Sequence, residues 1–445
     1  MLHLEIFTYL ERLNDFIWGH IAFLLIIGLG GYFSISSRFF QIRSLAAIFR
    51  SFFSFFREKP NHGKGSSLGL HPLKTFFAAI GGCIGIGNIV GICTAIQIGG
   101  PGALFWTWIG GLAGALIQYS EAYLGMQYRV KNEAGSYDGG PMYFLPIAYK
   151  IPWIAIVVSL LLCIYGVELF VFNITADSLS SNWNLNEYAV VSFLLIATLA
   201  VGSGGIDWVG RVCSALIPLF FVLYLFMASW VVLQHWREMP EIFKLIFQGA
   251  FTSQAAKGGF AGSSAMLAIS MGLSRGAYSC DIGAGYTSVI FAESRTDHIQ
   301  RQSSLTIIGI FLDTFVICTL SVLLVLATGN WNSGISVTLM VQEALGLFFP
   351  YMYIFMPLFF FLLGYTSLLA YFVVGVKCAK FISPKWGPKI YYLYASAMLP
   401  AFAFFDARRA FLMMSLSGAF LLILNIFGIF ILRKEIQFGL ESELD

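Results

Sequence analysis

Residues 79–100 read AIGGCIGIGNIVGICTAIQIGG, a run apolar enough to enter a bilayer yet interrupted by Gly81, Gly82, Gly85, Gly87 and Asn88. A helix that stops and restarts inside hydrocarbon exposes carbonyls and amides, each costing several kcal/mol if unmet, on the order of a lost hydrogen bond or more. Glycines let the backbone approach a bound group, and the Asn88 amide both donates and accepts. A second interruption, RGAYSCDIGAGYTS at residues 275–288, lies far along the chain in another apolar run. Paired interruptions of this kind are the sequence mark of a secondary transporter's binding site.

The rest of the chain fits a membrane setting. Of its 445 residues 58% are hydrophobic and only 11% charged, against roughly 25% charged in soluble domains. Mean hydropathy is +0.79, so water is not the main solvent. Apolar runs give about eleven expected spans, near 17–35, 76–98, 102–125, 152–176, 188–203, 209–233, 258–292, 303–328, 349–376, 388–405 and 410–432. The run 17–35 lacks a basic leader and a small-residue cleavage site, and is expected to be a retained helix. The run 258–292 is too long and too rich in Gly and Ser for one straight span, and is expected to break.

With the N-terminus outside, the inner segments collect Arg38, Arg43, Arg50, Arg57, Lys59, Lys64, Lys74, Arg129, Lys131, Lys150, Lys377, Lys380, Lys385 and Lys389, among others. The outer segments keep only Arg12, Arg237, Lys244, Lys257, Arg408 and Arg409. This asymmetry places the C-terminus in the cytoplasm and the chain in the plasma (inner) membrane as a multi-pass protein. The expected organisation is one transmembrane domain over 1–445: an extra helix at 17–35, a five-helix repeat at 76–233 and an inverted five-helix repeat at 258–432. The lipid bilayer is therefore an expected partner.

A net charge of +3 without an arginine stripe argues against nucleic acid. The seven cysteines show no CxxC or Cys/His metal spacing. No HExxH or phosphate loop occurs, and the GSSLG run at residues 65–69 lies in a polar stretch between apolar runs instead of a strand-to-helix turn, so neither an intramembrane hydrolase nor an ATP-driven pump has visible parts, and no enzyme is expected. A non-transporting sensor would more naturally carry a soluble signalling domain.

In the second interruption Cys280, Asp281, Gly283 and Gly285 play the matching part. An intramembrane carboxylate faces a cavity or a partner, so Asp281 is expected to neutralise Na⁺, hold a substrate ammonium or pair with Arg275. In the run 349–376, Thr366 and Ser367 offer hydroxyls that could complete a carbonyl shell around Na⁺, although helix hydroxyls often bond back to their own turn. Tyr371 lies on the same face as Ser367. Glu121, Glu168, Asn173 and Asp313 are read as structural hydrogen-bonding groups, with Glu168 and Asn173 able to face the pathway.

The stretch GIGNIVGICTAIQIGGPGALFWTWIGGLAGALIQYSEAYLGMQYR at residues 85–129, GGPMYFL at Gly139 to Leu145, GLSRGAYSCDIGAG, RTDHIQRQ and FLDTFVICT together resemble the alanine-or-glycine:cation symporter family. The resemblance implies an all-α membrane fold with a LeuT-like core of five plus five inverted helices, Na⁺ as coupling ion, and alanine, D-alanine or glycine as the small amino-acid substrate. It places the substrate at Gly85, Gly87 and Asn88 and at Ser279 to Gly285, including Cys280, Asp281 and Gly283. Na⁺ is expected at carbonyls of the first break, Gly81 and Ile84, with Thr366 and Ser367. This chain reads SCDIGAG where the family commonly reads SNEAGLG, Val171 where the family has a glutamine, and Ser367 and Tyr371 where it has a Thr/Trp pair. Another small zwitterion, or proton coupling through Asp281, is the alternative.

Overall fold

A computed structural model describes residues 2–57, 69–133, 135–202, 205–251, 265–296, 298–404 and 407–440. Apart from one small hairpin, the regular elements are helical, as hydrocarbon demands of a chain that must satisfy its own backbone. Among the described residues, six helices are long and apolar enough to cross a membrane, and the bent pair Pro72–Cys83 with Ile86–Gly99 makes a seventh. Of the other expected spans, 102–125 is one continuous helix of 25 residues, and 188–203, 258–292 and 388–405 appear as shorter or interrupted helices.

Helix α1 runs through Leu2–Phe16, a π-helical stretch Ile17–Ala22 and Phe23–Ser36, so it starts well before the expected residue 17. After a left-handed turn at Arg38 and Phe39, α2 (Leu45–Phe55) lies in the segment expected to be a plain cytoplasmic loop. It carries Arg50 between aromatic residues, the pattern of an interfacial helix. The first interrupted helix comprises α3 (Pro72–Cys83) and α4 (Val90–Gly99). Helix α5 (Ala103–Gln127) follows, then a hairpin of β1 (Val130–Lys131) and β2 (Tyr137–Asp138), paired Val130 with Asp138.

The expected span 152–176 is two helices, α6 (Ile154–Tyr165) and α7 (Leu169–Trp183), separated by a break the apolar pattern hid. Helices α8 (Glu187–Gly202) and α9 (Gly205–Gln234) follow. The run expected from residue 258 has its first residues, with Lys257, outside the described residues. Its remainder forms α10 (Ala265–Ser279) and α11 (Tyr286–Phe291). Helix α12 contains Ile299–Ile310, a π-helical stretch Phe311–Cys318 and Thr319–Ala327. Three helices end the chain: α13 (Met352–Ile382), α14 (Gly387–Ala403) and α15 (Ala407–Ile431).

Glycines of α5 bring the interrupted helices together. A side chain at Gly111 would meet Thr314, one at Gly114 would collide with Ile282, and one at Gly125 would lie 2.6 Å from the Ser288 Cβ. Small residues on one helix face let backbones approach where no hydrophobic drive separates protein from lipid. Helix α10 packs chiefly on α5 and α4, which carries the second break to the first.

The N-terminal helix is seated on α5 in the same way. A Cβ at Gly30 would fall 2.8 Å from the Ala113 Cβ, whereas one at Gly31 meets nothing within 4 Å. Gly30→Val is therefore expected to lower stability by about 1–3 kcal/mol. Gly31→Val should leave it within about 0.5 kcal/mol. Thermal unfolding of the two variants in one detergent checks the contrast.

Candidate functional site

The first break begins where α3 ends at Cys83. Ile84 is extended, with φ −81° and ψ 90°, Gly85 is extended too, and a 3-10 turn Ile86–Asn88 leads into α4. The two helix axes differ by 52°. The carbonyls left free at the end of α3 meet a hydroxyl from α13: Ser367 Oγ donates to Gly81 O at 2.9 Å and lies 3.3 Å from Gly82 O. Glycine is required there, because a Cβ at Gly85 would fall 2.5 Å from Ser367 Oγ and one at Gly82 would collide with the Tyr286 hydroxyl. Thr366 behaves differently. Its Oγ1 donates to Leu363 O at 2.8 Å, within its own helix.

The second break spans Cys280 to Gly285, with Asp281 at φ 54°, Gly283 at φ 71° and Gly285 at φ 89°. A left-handed aspartate is sparsely populated, costing of the order of 1–3 kcal/mol, and persists only where its surroundings hold it. Here they do. Asp281 is completely buried. It accepts from Tyr371 Oη at 2.7 and 2.6 Å, from Tyr165 Oη at 2.6 Å and from Cys83 Sγ at 3.3 Å. The expected alternative, an ion pair with Arg275, is not what forms: the Arg275 guanidinium lies 3.2 Å from the Phe411 ring centre instead.

A second carboxylate joins the breaks. Asp313, in the π-helical stretch of α12, accepts from Asn88 Nδ2 in the first break and from Ser279 Oγ at 3.2 Å and Cys280 Sγ at the second. π-Helical bulges often mark functional positions because they turn a side chain out of register. The Asn88 Oδ1 is buried without a partner. Gln118 of α5 donates to Cys280 O at 2.5 Å and to Thr287 Oγ1 at 3.1 Å, so α5 also holds the unwound backbone.

The break between α6 and α7 was not foreseen. Glu168 sits there at φ 52°, buried, with Oε1 accepting from Tyr278 Oη and Oε2 without a partner. Val171 is buried one turn beyond it in α7.

Of the residues singled out from sequence, the structure brings Gly81, Gly85 and Ser367 together, and Asp281 with Tyr371. Asn88 meets Cys280 through Asp313. Gly87 looks across at Ser279, whose Cβ lies 4.0 Å from the position a Gly87 Cβ would take. Gly283 faces elsewhere: its neighbours are Leu422 and Ile426, and its carbonyl accepts from Asn425 Nδ2 at 2.8 Å. Sequence reasoning missed Tyr165, Cys83, Gln118 and Tyr278 as partners. The polar run YGVE at 165–168, inside an otherwise aliphatic span, was the available signal for one of them.

Away from this centre, the chain around β1 and β2 is clamped to the helices. Lys377 of α13 pairs with Asp138 at 2.9 Å and with Glu293 just past α11. Leu70, before α3, bridges the same segment: its N–H donates to Glu293 O at 2.7 Å and its carbonyl accepts from Arg295 N at 2.6 Å. Burial pushes the Glu293 carboxyl up, against the pull of Lys377.

The fold, with two interrupted helices held together by carbonyls, hydroxyls and buried carboxylates, is that of the LeuT-fold transporters. The solved structure of MhsT in complex with L-phenylalanine superposes with a TM-score of 0.60 over 83% of this chain and 90% of that one, at 16% identity. A Na⁺-coupled sialic acid symporter in a substrate-bound outward-open state gives 0.54 over 93% and 87%, at 11% identity. The chain belongs to the sodium:alanine symporter family, whose model matches residues 4–441. Among its relatives are the uncharacterised transporter YflA of Bacillus subtilis, 31% identical over 97% of this chain and 92% of that protein, and the sodium/alanine symporter AgcS of Methanococcus maripaludis, 28% identical over 87% and 86%. It is accordingly a multi-pass membrane transporter of the cation-coupled amino-acid carrier class.

Three donors converge on Asp281, and an asparagine there would keep one acceptor oxygen but turn an NH2 donor toward the remaining donors. Asp281→Asn is expected to cost about 1–3 kcal/mol, the range for stranding buried partners. A Tyr371→Phe/Asp281→Asn double variant should recover part of that loss, and Arg275→Gln/Asp281→Asn none. Thermal stabilities of the set decide it.

Proposed function

We propose that this chain is a sodium-coupled symporter that carries a small neutral amino acid, alanine, D-alanine or glycine, into the cell by alternating access. The observation that carries the reading is the meeting of the Ser367 hydroxyl with the Gly81 and Gly82 carbonyls at the end of α3. A hydroxyl beside the carbonyls of an unwound helix is an all-oxygen set suited to Na⁺. In this reading Na⁺ is held by the carbonyls of Gly81 and Ile84 with Ser367, and Thr366 contributes the oxygen lone pairs that its intrahelical bond leaves free. The substrate carboxylate meets the backbone near Gly85, Gly87 and Asn88. The ammonium lies toward Asp281 and the Cys280 segment, and Val171 and Tyr371 bound a pocket for a small side chain.

The same reading takes the core as five plus five inverted helices, about eleven spans with the extra α1. The halves are 76–233 and 258–432, set in the inner membrane with the N-terminus outside. The Lys377 cluster then lies on the cytoplasmic side. Opening inward requires Lys377 to leave Asp138 and Glu293, and Leu70 to leave residues 293–295, while one set of helices rocks against the other. Sodium and amino acid favour the state whose site they complete, and drive that exchange.

Uptake into proteoliposomes tests the proposal. Labelled glycine, L-alanine and D-alanine are offered with an inward Na⁺, Li⁺ or proton gradient. Accumulation is expected to need Na⁺, and Ser367→Ala to raise the half-saturating Na⁺ concentration about tenfold, the worth of roughly 1.4 kcal/mol. Full uptake on a proton gradient without Na⁺ would overturn the coupling, and uptake of none of the three would overturn the substrate class.

A further inference from the structure

A large hollow lies outside the transport centre, on the flank of the helix that leads into the first break. It encloses about 1030 Å³, at the upper end of the roughly 300–1,000 Å³ of small-molecule sites. Leu73, Phe77, Ile80 and Ile84, three or four residues apart along α3 and its C-terminal end, form one wall. Ser214, Ile217 and Phe221, spaced the same way on α9, form another, and α2 adds the rings of Phe52 and Phe56. Phe56 is 58% exposed, so the hollow is a groove open to the outside of the bundle.

Helices α3 and α9 run side by side in one direction: a side chain at Gly210 would meet Lys74, and one at Gly81 would meet Cys213 and Ile217. The stretch from Leu73 to Ile84 rises about 16 Å, the depth of one leaflet of a roughly 30 Å hydrocarbon core. Charge is confined to one end. Lys74, at the start of α3, lines the groove and pairs with Asp207 at 2.7 Å, and Arg211 pairs with the same carboxylate at 2.7 Å. Two partly exposed cations therefore share one anion. The chain leading into α3 adds Arg38, Arg43, Arg50, Arg57, Lys59 and Lys64 against Glu58 alone. Its last part, EKPNHGKGSSL at 58–68, has Leu68 as its one large apolar residue and is too polar to fill the groove itself.

We propose that an anionic phospholipid of the cytoplasmic leaflet binds here, with one acyl chain laid along α3 and its phosphate at Lys74 and Arg211. The inference needs α3 to enter the bilayer from the inside, and it is independent of which substrate is carried. Any lipid tail could cover the apolar walls; the surplus of positive charge at the mouth selects the anionic headgroup. The tip of the chain reaches Ile84, next to the unwound segment. An acyl chain there packs on a face of α3 that no protein element covers, and so steadies the helix that ends at the first break.

The test uses the purified full-length protein, delipidated in a maltoside detergent, with dioleoyl-phosphatidylglycerol and dioleoyl-phosphatidylcholine as probes and native mass spectrometry to read the lipid retained. Wild type is expected to favour phosphatidylglycerol about tenfold. Arg211→Gln should lower that ratio about fivefold, the worth of one cation near an anionic lipid, and Asp207→Asn, which frees both cations, should raise it. Ser214→Trp, which fills the groove from its wall, should abolish retention of both lipids. On the wild type, where no variant's folding enters, a phosphatidylglycerol with a diazirine at the acyl terminus should label the chain around Ile84 and Phe221. Equal retention of the two lipids, or a ratio unmoved in both charge variants, overturns the proposal by leaving only boundary lipid. Label placed elsewhere, a folded Ser214→Trp protein that keeps its lipid, or a wild type that retains none overturns it as well.

Discussion

Hydrocarbon offers no hydrogen bonds, so every backbone group freed where a helix unwinds must be met by protein or by cargo. The structure answers this requirement from several directions at once. Ser367 of α13 reaches Gly81 and Gly82, Gln118 of α5 reaches Cys280, and Asn425 of α15 reaches Gly283. Each donor comes from a different helix. The breaks are therefore the points at which the bundle is tied together, and a change in what occupies them is felt by all of these helices.

Two buried carboxylates extend the ties. Asp313 connects Asn88 in the first break with Ser279 and Cys280 at the second, and Asp281 connects the second break with α3, α6 and α13 through Cys83, Tyr165 and Tyr371. Losing either carboxylate strands its donors, since a buried polar group without a match costs more than the net worth of its bond. Such networks favour a small number of discrete arrangements over continuous deformation. That property suits a protein whose cargo must bias one arrangement against another.

The two main breaks were legible because glycine and asparagine in an apolar run have few structural reasons to be there, and both positions unwind as expected. The break at Glu168 was not. Residues 152–176 average out as one apolar span, and only the left-handed backbone of Glu168 and the reach of its carboxylate to Tyr278 reveal the interruption. The π-helical stretch Phe311–Cys318 was invisible for the same reason, since one extra residue per turn leaves no mark on composition. Side-chain partners were harder still. Asp281 was identified as important, but Arg275, the nearby opposite charge in sequence, is not its partner; two phenols and a thiol from distant helices are. Thr366 bonds back to its own turn while Ser367 crosses to α3, a distinction set by which face of α13 meets the break, and which adjacent positions in a sequence do not resolve.

The central claim is that sodium and amino acid complete the same unwound centre, and linkage makes this directly measurable. Substrate affinity of the purified protein is determined across a Na⁺ titration, and Na⁺ affinity across a substrate titration. A shared centre predicts that each ligand tightens the other by the same factor, well above one, because the coupling free energy between two ligands is reciprocal. Substrate binding that is unchanged from zero to saturating Na⁺ would contradict the account.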